Sequence, residues 1–496
     1  AYQCLSEHVG SYLFPGGQPH KMFNRLLAKL NIVNALLPQI YAGAVASSVH
    51  FWIGVVHTYS SVLIPQLRNG ADALEVTKNE EMWIINCVCL VALCQSVLGG
   101  ILTDKFGRLP MLKSSLIFHA IGWVTIALGR SGSVLILGRT VTGIAIGCVS
   151  CASLVYVAEV STPTLRAPLL ALSMVFHELG SLVTYIMGYL TSWRAAAWIT
   201  CGSGTIATLL VFSLPQSPSW LVSKNREAEA RKSLRWFNRN DTDIVEKELE
   251  TLKSEARGRV HKKIIMRNLI LPTVYRPFLI LTLLGFAQQF AGMSILARNS
   301  IIFFEELGTQ FDPYIVFSCM ALLRIFTGLG LVVIMGQFGR RPIMFIALLG
   351  VFLSMIMSGL YTAWIDEGTT HQTWVPLFML NIYTIFMVTI ATISATLLGE
   401  LFPGDVRGLI TNITWGLNNV YTFLSIFAYP SLLSGLHGIA NVQFFFAGVS
   451  ALACLILPFL PETHMKRLSE IEAHFSPDSR RKSVKKFNIE IDIIVI

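Results

Sequence analysis

The stretch from Gln288 to Asn299 reads QQFAGMSILARN, and it lies inside a long apolar run. Two adjacent glutamines, an arginine and an asparagine in such a run cannot face hydrocarbon. Each desolvated amide or charge there costs several kcal/mol unless it is partnered. A helix of this kind must face protein or a water-filled cavity. The stretch therefore reads as the wall of a pathway through a membrane, and the rest of the chain is read outward from it.

Composition agrees. The chain has 496 residues, 53% hydrophobic and 14% charged, against about 25% charged for soluble domains. Apolar runs long enough to cross a bilayer recur about twelve times. They cover 38–64, 82–102, 110–129, 133–157, 168–191 and 195–214, then 275–304, 313–336, 342–363, 375–402, 408–432 and 438–460. The expected fold is an all-α membrane protein with twelve transmembrane helices in two six-helix halves. Closed β-barrels show short alternating segments instead. The divisions are a segment over 1–37, an N-terminal half over 38–214, a polar linker over 215–274, a C-terminal half over 275–463 and a tail over 464–496. Within the linker, Ala230, Leu234 and Phe237 share one helical face, as do Val245, Leu249 and Leu252. Two short amphipathic helices follow.

The net charge of +9 does not point to nucleic acid, because the basic residues gather in particular loops and in the tail. Lys105, Arg108 and Lys113 follow the second span, Arg340 and Arg341 the eighth, and many more fill the linker. The opposite loops carry Glu80, Glu81, Glu305, Glu306, Asp366 and Glu367. The positive-inside bias places the linker and both termini in the cytoplasm. Cysteines sit mostly in apolar runs without metal-ligand spacing to histidine, so neither a metal nor a cofactor is expected. The tail, SPDSRRKSVKK with Ser483 behind three basic residues, reads as an anchor to anionic lipid, the alternative being a phosphorylation switch.

The two halves repeat one another. Glu159 and Arg166 with Pro163 between them recur as Glu400 and Arg407 with Pro403 between, about 240 residues on. Asp104 and Arg108 after the second span find their counterpart in the Gly-Arg-Arg-Pro run at Arg340 and Arg341. Internal duplication of this kind is the mark of carriers that rock one half against the other. The charges Asp104, Arg108, Glu159, Arg166, Arg340, Arg341, Glu400 and Arg407 all fall at helix ends on one side. There they can pair and form a latch between conformations. Gly143 and Gly147, four apart, allow close helix contact.

The segments GGILTDKFGR, GRTVTGIAIG, YVAEVSTPTLR, PQSPSW, QQFAGM, GRRP, GELFPGDVRG and PETHMKRLSEIE stand in one order along the chain. In that order the chain resembles the sugar porter branch of the major facilitator superfamily, across residues 40–475. NEEMW and EAEARKSLRWFNR resemble the insect facilitated trehalose and glucose transporters. The resemblance implies the major facilitator fold, a small-molecule solute, a functional monomer in the lipid bilayer, most often the plasma membrane, and no catalysis. It also implies that Gln288, Gln289 and Asn418 contact sugar hydroxyls.

Against that family the chain departs at several cavity positions. Glu178 stands for an amide of the fifth span and Ser294 for an asparagine. Arg298 and Asn299 stand for a tyrosine pair, Arg324 for an asparagine, and Ala395 for a stacking tryptophan. The tenth span reads ATISA, without the hinge prolines, so it should be straighter. Val56 occupies the position where proton-coupled relatives carry an acid, and His50 and His57 share a face of that first span. Facilitative transport of a hexose, trehalose or a sugar-like, even anionic, glycoside is the expectation. The alternatives are a sensor that binds solute without flux, or a proton-coupled sugar or organic-anion symporter. Glu178 is expected to find an arginine partner in Arg298 or Arg324.

Overall fold

The computed structural model describes residues 36–69, 74–239, 241–260, 271–298, 303–304, 311–402, 407–463 and 474–475. The terminal segments, Asn299 and the side chain of Arg407 lie outside that description. The first half holds α1 (Leu36–Arg68), α2 (Lys78–Phe106), α3 (Arg108–Ala127), α4 (Gly132–Val160), α5 (Pro163–Leu190) and α6 (Trp193–Leu209). The linker folds as α7 (Pro218–Ser223), α8 (Glu227–Phe237) and α9 (Thr242–Val260). The second half holds α10 (Pro272–Phe290), α11 (Met293–Arg298), α12 (Pro313–Gln337), α13 (Arg340–Asp366), α14 (Trp374–Glu400), α15 (Arg407–Gly435) and α16 (Ile439–Cys454). Nine described helices are long and apolar enough to cross a membrane, and α2, bent by 56° beyond Gln95, makes a tenth. The broken pair α10–α11 and the more polar α15 complete the twelve expected spans.

Local sequence sets the helix ends. Thr77 and Glu80 form a reciprocal capping box at the start of α2, Ser131 and Ser192 cap α4 and α6, and Asp312 before Pro313 caps α12. These side chains satisfy backbone N–H groups that a helix start leaves without partners. In α14 no turn is interrupted between Trp374 and Glu400, as the loss of the hinge prolines leads one to expect. The seventh span differs from the single run expected over 275–304. It breaks after Phe290, where Gly292 takes φ +99°, a conformation that a side chain would strain.

Each half has its own apolar core, and the linker has a third, smaller one. Trp220, Leu221, Ala230, Leu234, Val245 and Leu249 bury against each other there, so the two expected amphipathic faces meet on α7, except that Phe237 joins the core of the first half instead. The halves meet along three lines: α1 on α11, α2 on α15, and α5 on α12. Tyr185 of α5 stacks on Phe317 of α12 with ring centres 5.6 Å apart. At the end remote from the linker, Ser61 of α1 donates to the Arg298 carbonyl at 2.8 Å.

Candidate functional site

The break at Gly292 places the polar residues of QQFAGMSILARN on separate tasks. Gln289 donates from Nε2 to Asn418 Oδ1 on α15 at 2.8 Å, and its own Oε1 accepts from the Ser294 hydroxyl on α11. Gln289, Ser294 and Asn418 thus form one amide–hydroxyl cluster joining α10, α11 and α15. Gln288 points elsewhere, since neighbours on a helix diverge by about 100°. Its Nε2 lies 2.7 Å from Met293 Sδ, and it lines a small pocket with Leu284, Met387 and Ser450 inside the second half. The glutamine pair that the sequence presents as a unit is divided by the structure.

A second polar group spans the two halves. The backbones of α1 and α5 touch at Gly54 and Gly180: an added methyl would lie 1.9 Å from the His177 carbonyl in the first case and 2.0 Å from the Phe51 carbonyl in the second. Only residues without a Cβ permit that approach. One turn away, His57 Nδ1 and His177 Nε2 come within 3.4 Å. His177 Nδ1 in turn lies 3.2 Å from Glu178 Oε1, and Glu178 Oε2 lies 2.8 Å from Nε of Arg324 on α12. The last contact is one of charge, without an aligned N–H. Glu178 therefore takes Arg324 as its partner and leaves Arg298 aside. His50, on the same face as His57, meets the Ser153 hydroxyl at 3.5 Å.

Two further guanidinium groups lie inside the bundle. Arg139 of α4 is fully buried and donates to the carbonyls of Val56 at 2.7 Å and Ile84 at 3.3 Å. Arg298, at the end of α11, is 9% exposed. Neither makes an ion pair with a carboxylate among the described residues. Sequence reading passed over Arg139, His177 and Ser61. His177 beside Glu178 and Arg139 in an apolar run were the available signals, since ionisable groups at membrane depth need partners.

At the linker end the duplicated charges pair within each half. Arg108 grips Glu159 through two nitrogens at 2.8 and 3.0 Å, and its Nη1 lies 3.0 Å from Asp104. Ser217, which caps α7, also donates to Glu159, at 2.5 Å. In the second half Arg340 reaches Glu400 at 3.3 Å, while the Glu462 carboxylate accepts from the backbone N–H groups of Arg340 and Arg341. Arg166 is exposed and has no ion pair among the described residues. Ala395 lies exposed on the unbroken α14.

Two repeated helical halves with a half-buried polar cluster where they meet define a polytopic carrier of the major facilitator fold. Residues 41–475 match the family model described as "Sugar (and other) transporter", and the chain belongs to that family. It is 27% identical over 451 residues to the facilitated trehalose transporter Tret1 of Apis mellifera ligustica, covering 90% of this chain and 89% of the relative. Tret1 of Polypedilum vanderplanki is 26% identical over 454 residues, covering 90% and 89%. Among solved structures, the proton:xylose symporter XylE bound to 6-bromo-6-deoxy-D-glucose aligns with TM-score 0.71 at 20% identity, over 88% of this chain and 99% of that one. A partially occluded inward-open form of XylE from E. coli aligns with TM-score 0.72 at 18% identity, over 86% and 99%. These likenesses carry the fold.

Proposed function

We propose that this chain carries a neutral sugar, a hexose or trehalose, across the membrane by facilitated alternating access. The observation that supports this most directly is the Gln289–Ser294–Asn418 cluster, which ties both segments of the broken seventh span to α15. Amides and hydroxyls can exchange their mutual hydrogen bonds for those of a polyol, donating and accepting at similar cost. The relatives named as facilitated trehalose transporters favour the same solute class. Because Glu178 already neutralises Arg324, the site offers a solute less positive charge than the sequence alone suggests. The duplicated ion pairs at the linker end face the cytoplasm, together with both termini, and re-pair across the halves when that end closes. The plasma membrane is the expected location, and a single chain is the working unit.

Thermal-shift titration tests the binding step. Trehalose or glucose should raise the unfolding temperature of the wild type and lose that effect in Gln289→Ala. A sugar response that survives in Gln289→Ala and Asn418→Ala would place the solute elsewhere.

A further inference from the structure

We propose that the linker seats on the bilayer through Trp236 and Lys232 of α8 together with Lys113 of α3, and that these residues hold the headgroup of an anionic phospholipid. This goes beyond the sugar reading and does not depend on it. The ends of the spans fix the level at which lipid tails give way to headgroups. Leu37 at the start of α1, and Leu209 and Phe212 where α6 ends, are between 42% and 52% exposed and need lipid to cover them. Side chains connect this level to the linker. Lys113 Nζ stands 4.9 Å from the centre of the Phe212 ring. The next residue, Ser213, has its hydroxyl 2.9 Å from that of Tyr41 on α1. Tyr41 in turn meets the Trp236 ring, with centres 6.3 Å apart. Trp236 is exposed, and Lys232, also exposed, lies one turn before it on the same stripe of α8. One rim therefore runs from α3 past α6 and α1 to α8.

Helix α8 does not reach the membrane by its apolar face. Ala230 and Leu234 are spent on the linker's own core, and Phe237 on that of the first half. What remains for the bilayer is an indole with a polar edge and two ammonium groups. An indole at this level keeps its ring among the outer methylenes and its N–H towards water and headgroups. Charge is segregated across the linker. Its acids are met by bases of the linker itself: Glu229 by Arg226, Glu246 by Arg231, and Glu227 and Glu250 by Lys253. Lys232 and Lys113 have no carboxylate partner among the described residues. Unpaired ammonium groups beside interfacial aromatic rings favour a headgroup of net negative charge over a zwitterionic one, which brings its own cation.

Photocapture from position 236 tests this with the full-length chain in liposomes of equal phosphatidylserine and phosphatidylcholine content. Trp236→benzoylphenylalanine keeps an aromatic ring there and bonds covalently to whatever lipid lies against it on illumination. Each lysine near the surface adds about a fivefold preference, so serine-lipid adducts should exceed choline-lipid adducts by roughly twentyfold. That ratio should shrink as salt is raised. Lys113→Gln combined with Lys232→Gln should bring it close to one. Arg226→Gln combined with Arg231→Gln removes the same charge on the side that faces the acids, and should leave it unchanged. No lipid adduct at position 236, equal capture of the two lipids, or a ratio that survives loss of both lysines overturns the site.

Discussion

Glu178 of α5 and Arg324 of α12 lie 2.8 Å apart across the boundary between the two halves. Their side chains are 22% and 17% exposed, so each charge depends on the other for compensation. Removing one member of such a pair leaves an isolated charge and costs about 3–5 kcal/mol, whereas replacing both by neutral groups costs much less. Glu178→Gln and Arg324→Gln should each lower the unfolding temperature and the rate of solute exchange, and the double variant should recover most of the stability. Additive losses in that cycle would show that the two residues act independently.

Proton coupling is a separate question that the same pair informs. With Glu178 held by Arg324 and Val56 on α1, no described carboxylate of the inter-half region is left to carry a proton on each cycle. Exchange of solute should be insensitive to a protonophore and to an imposed pH gradient. Uptake driven by an inward proton gradient, and abolished in Glu178→Gln, would make this chain a symporter.

The proposed sugar site at Gln289 and Asn418 has an expected strength of solute binding. Truncating either to Ala removes one hydrogen-bonding partner and strands the other, a loss of about 1–3 kcal/mol. KM for the sugar should rise roughly tenfold or more in Gln289→Ala and Asn418→Ala. Gln288→Ala should affect stability more than KM, because its side chain sits with Met293 inside the second half. Equal effects on KM from Gln288 and Gln289 would show that both face the solute.

The contact between α1 and α5 has no slack. Gly54→Ala and Gly180→Ala each force a methyl group against a backbone carbonyl, at 1.9 and 2.0 Å before relaxation. Overpacking of this kind costs about 1–3 kcal/mol and should separate His57 from His177. A lowered unfolding temperature in both variants is the expected result; wild-type stability in either would mean that the helices cross elsewhere.

The architecture was legible because bilayer spans and basic loops leave a strong one-dimensional signal. The duplication was visible for the same reason, since Glu159 and Glu400 recur with their arginines at one spacing. What the sequence could not supply was partner choice. It offered Glu178 two arginines, and only packing decides for Arg324, because α5 lies on α12 while Arg298 ends a helix held against α1. Gln288 and Gln289 look equivalent in a string, but their divergence on the helix and the turn at Gly292 send them to different neighbours. Arg139 was overlooked because its partners are the carbonyls of Val56 and Ile84, and backbone acceptors leave no pattern in the residue types.

Accelerated counterflow in proteoliposomes tests transport most directly. Vesicles carrying the purified chain are loaded with unlabelled glucose or trehalose and diluted into a trace of the labelled sugar. Transient accumulation of label above the equilibrium level is the expected result, reduced in Asn418→Ala and absent from vesicles without protein. Glucuronate loaded in place of the neutral sugar should support little or none of it. Saturable sugar binding with no counterflow, or counterflow with glucuronate and none with glucose or trehalose, would contradict the assignment of a neutral-sugar carrier.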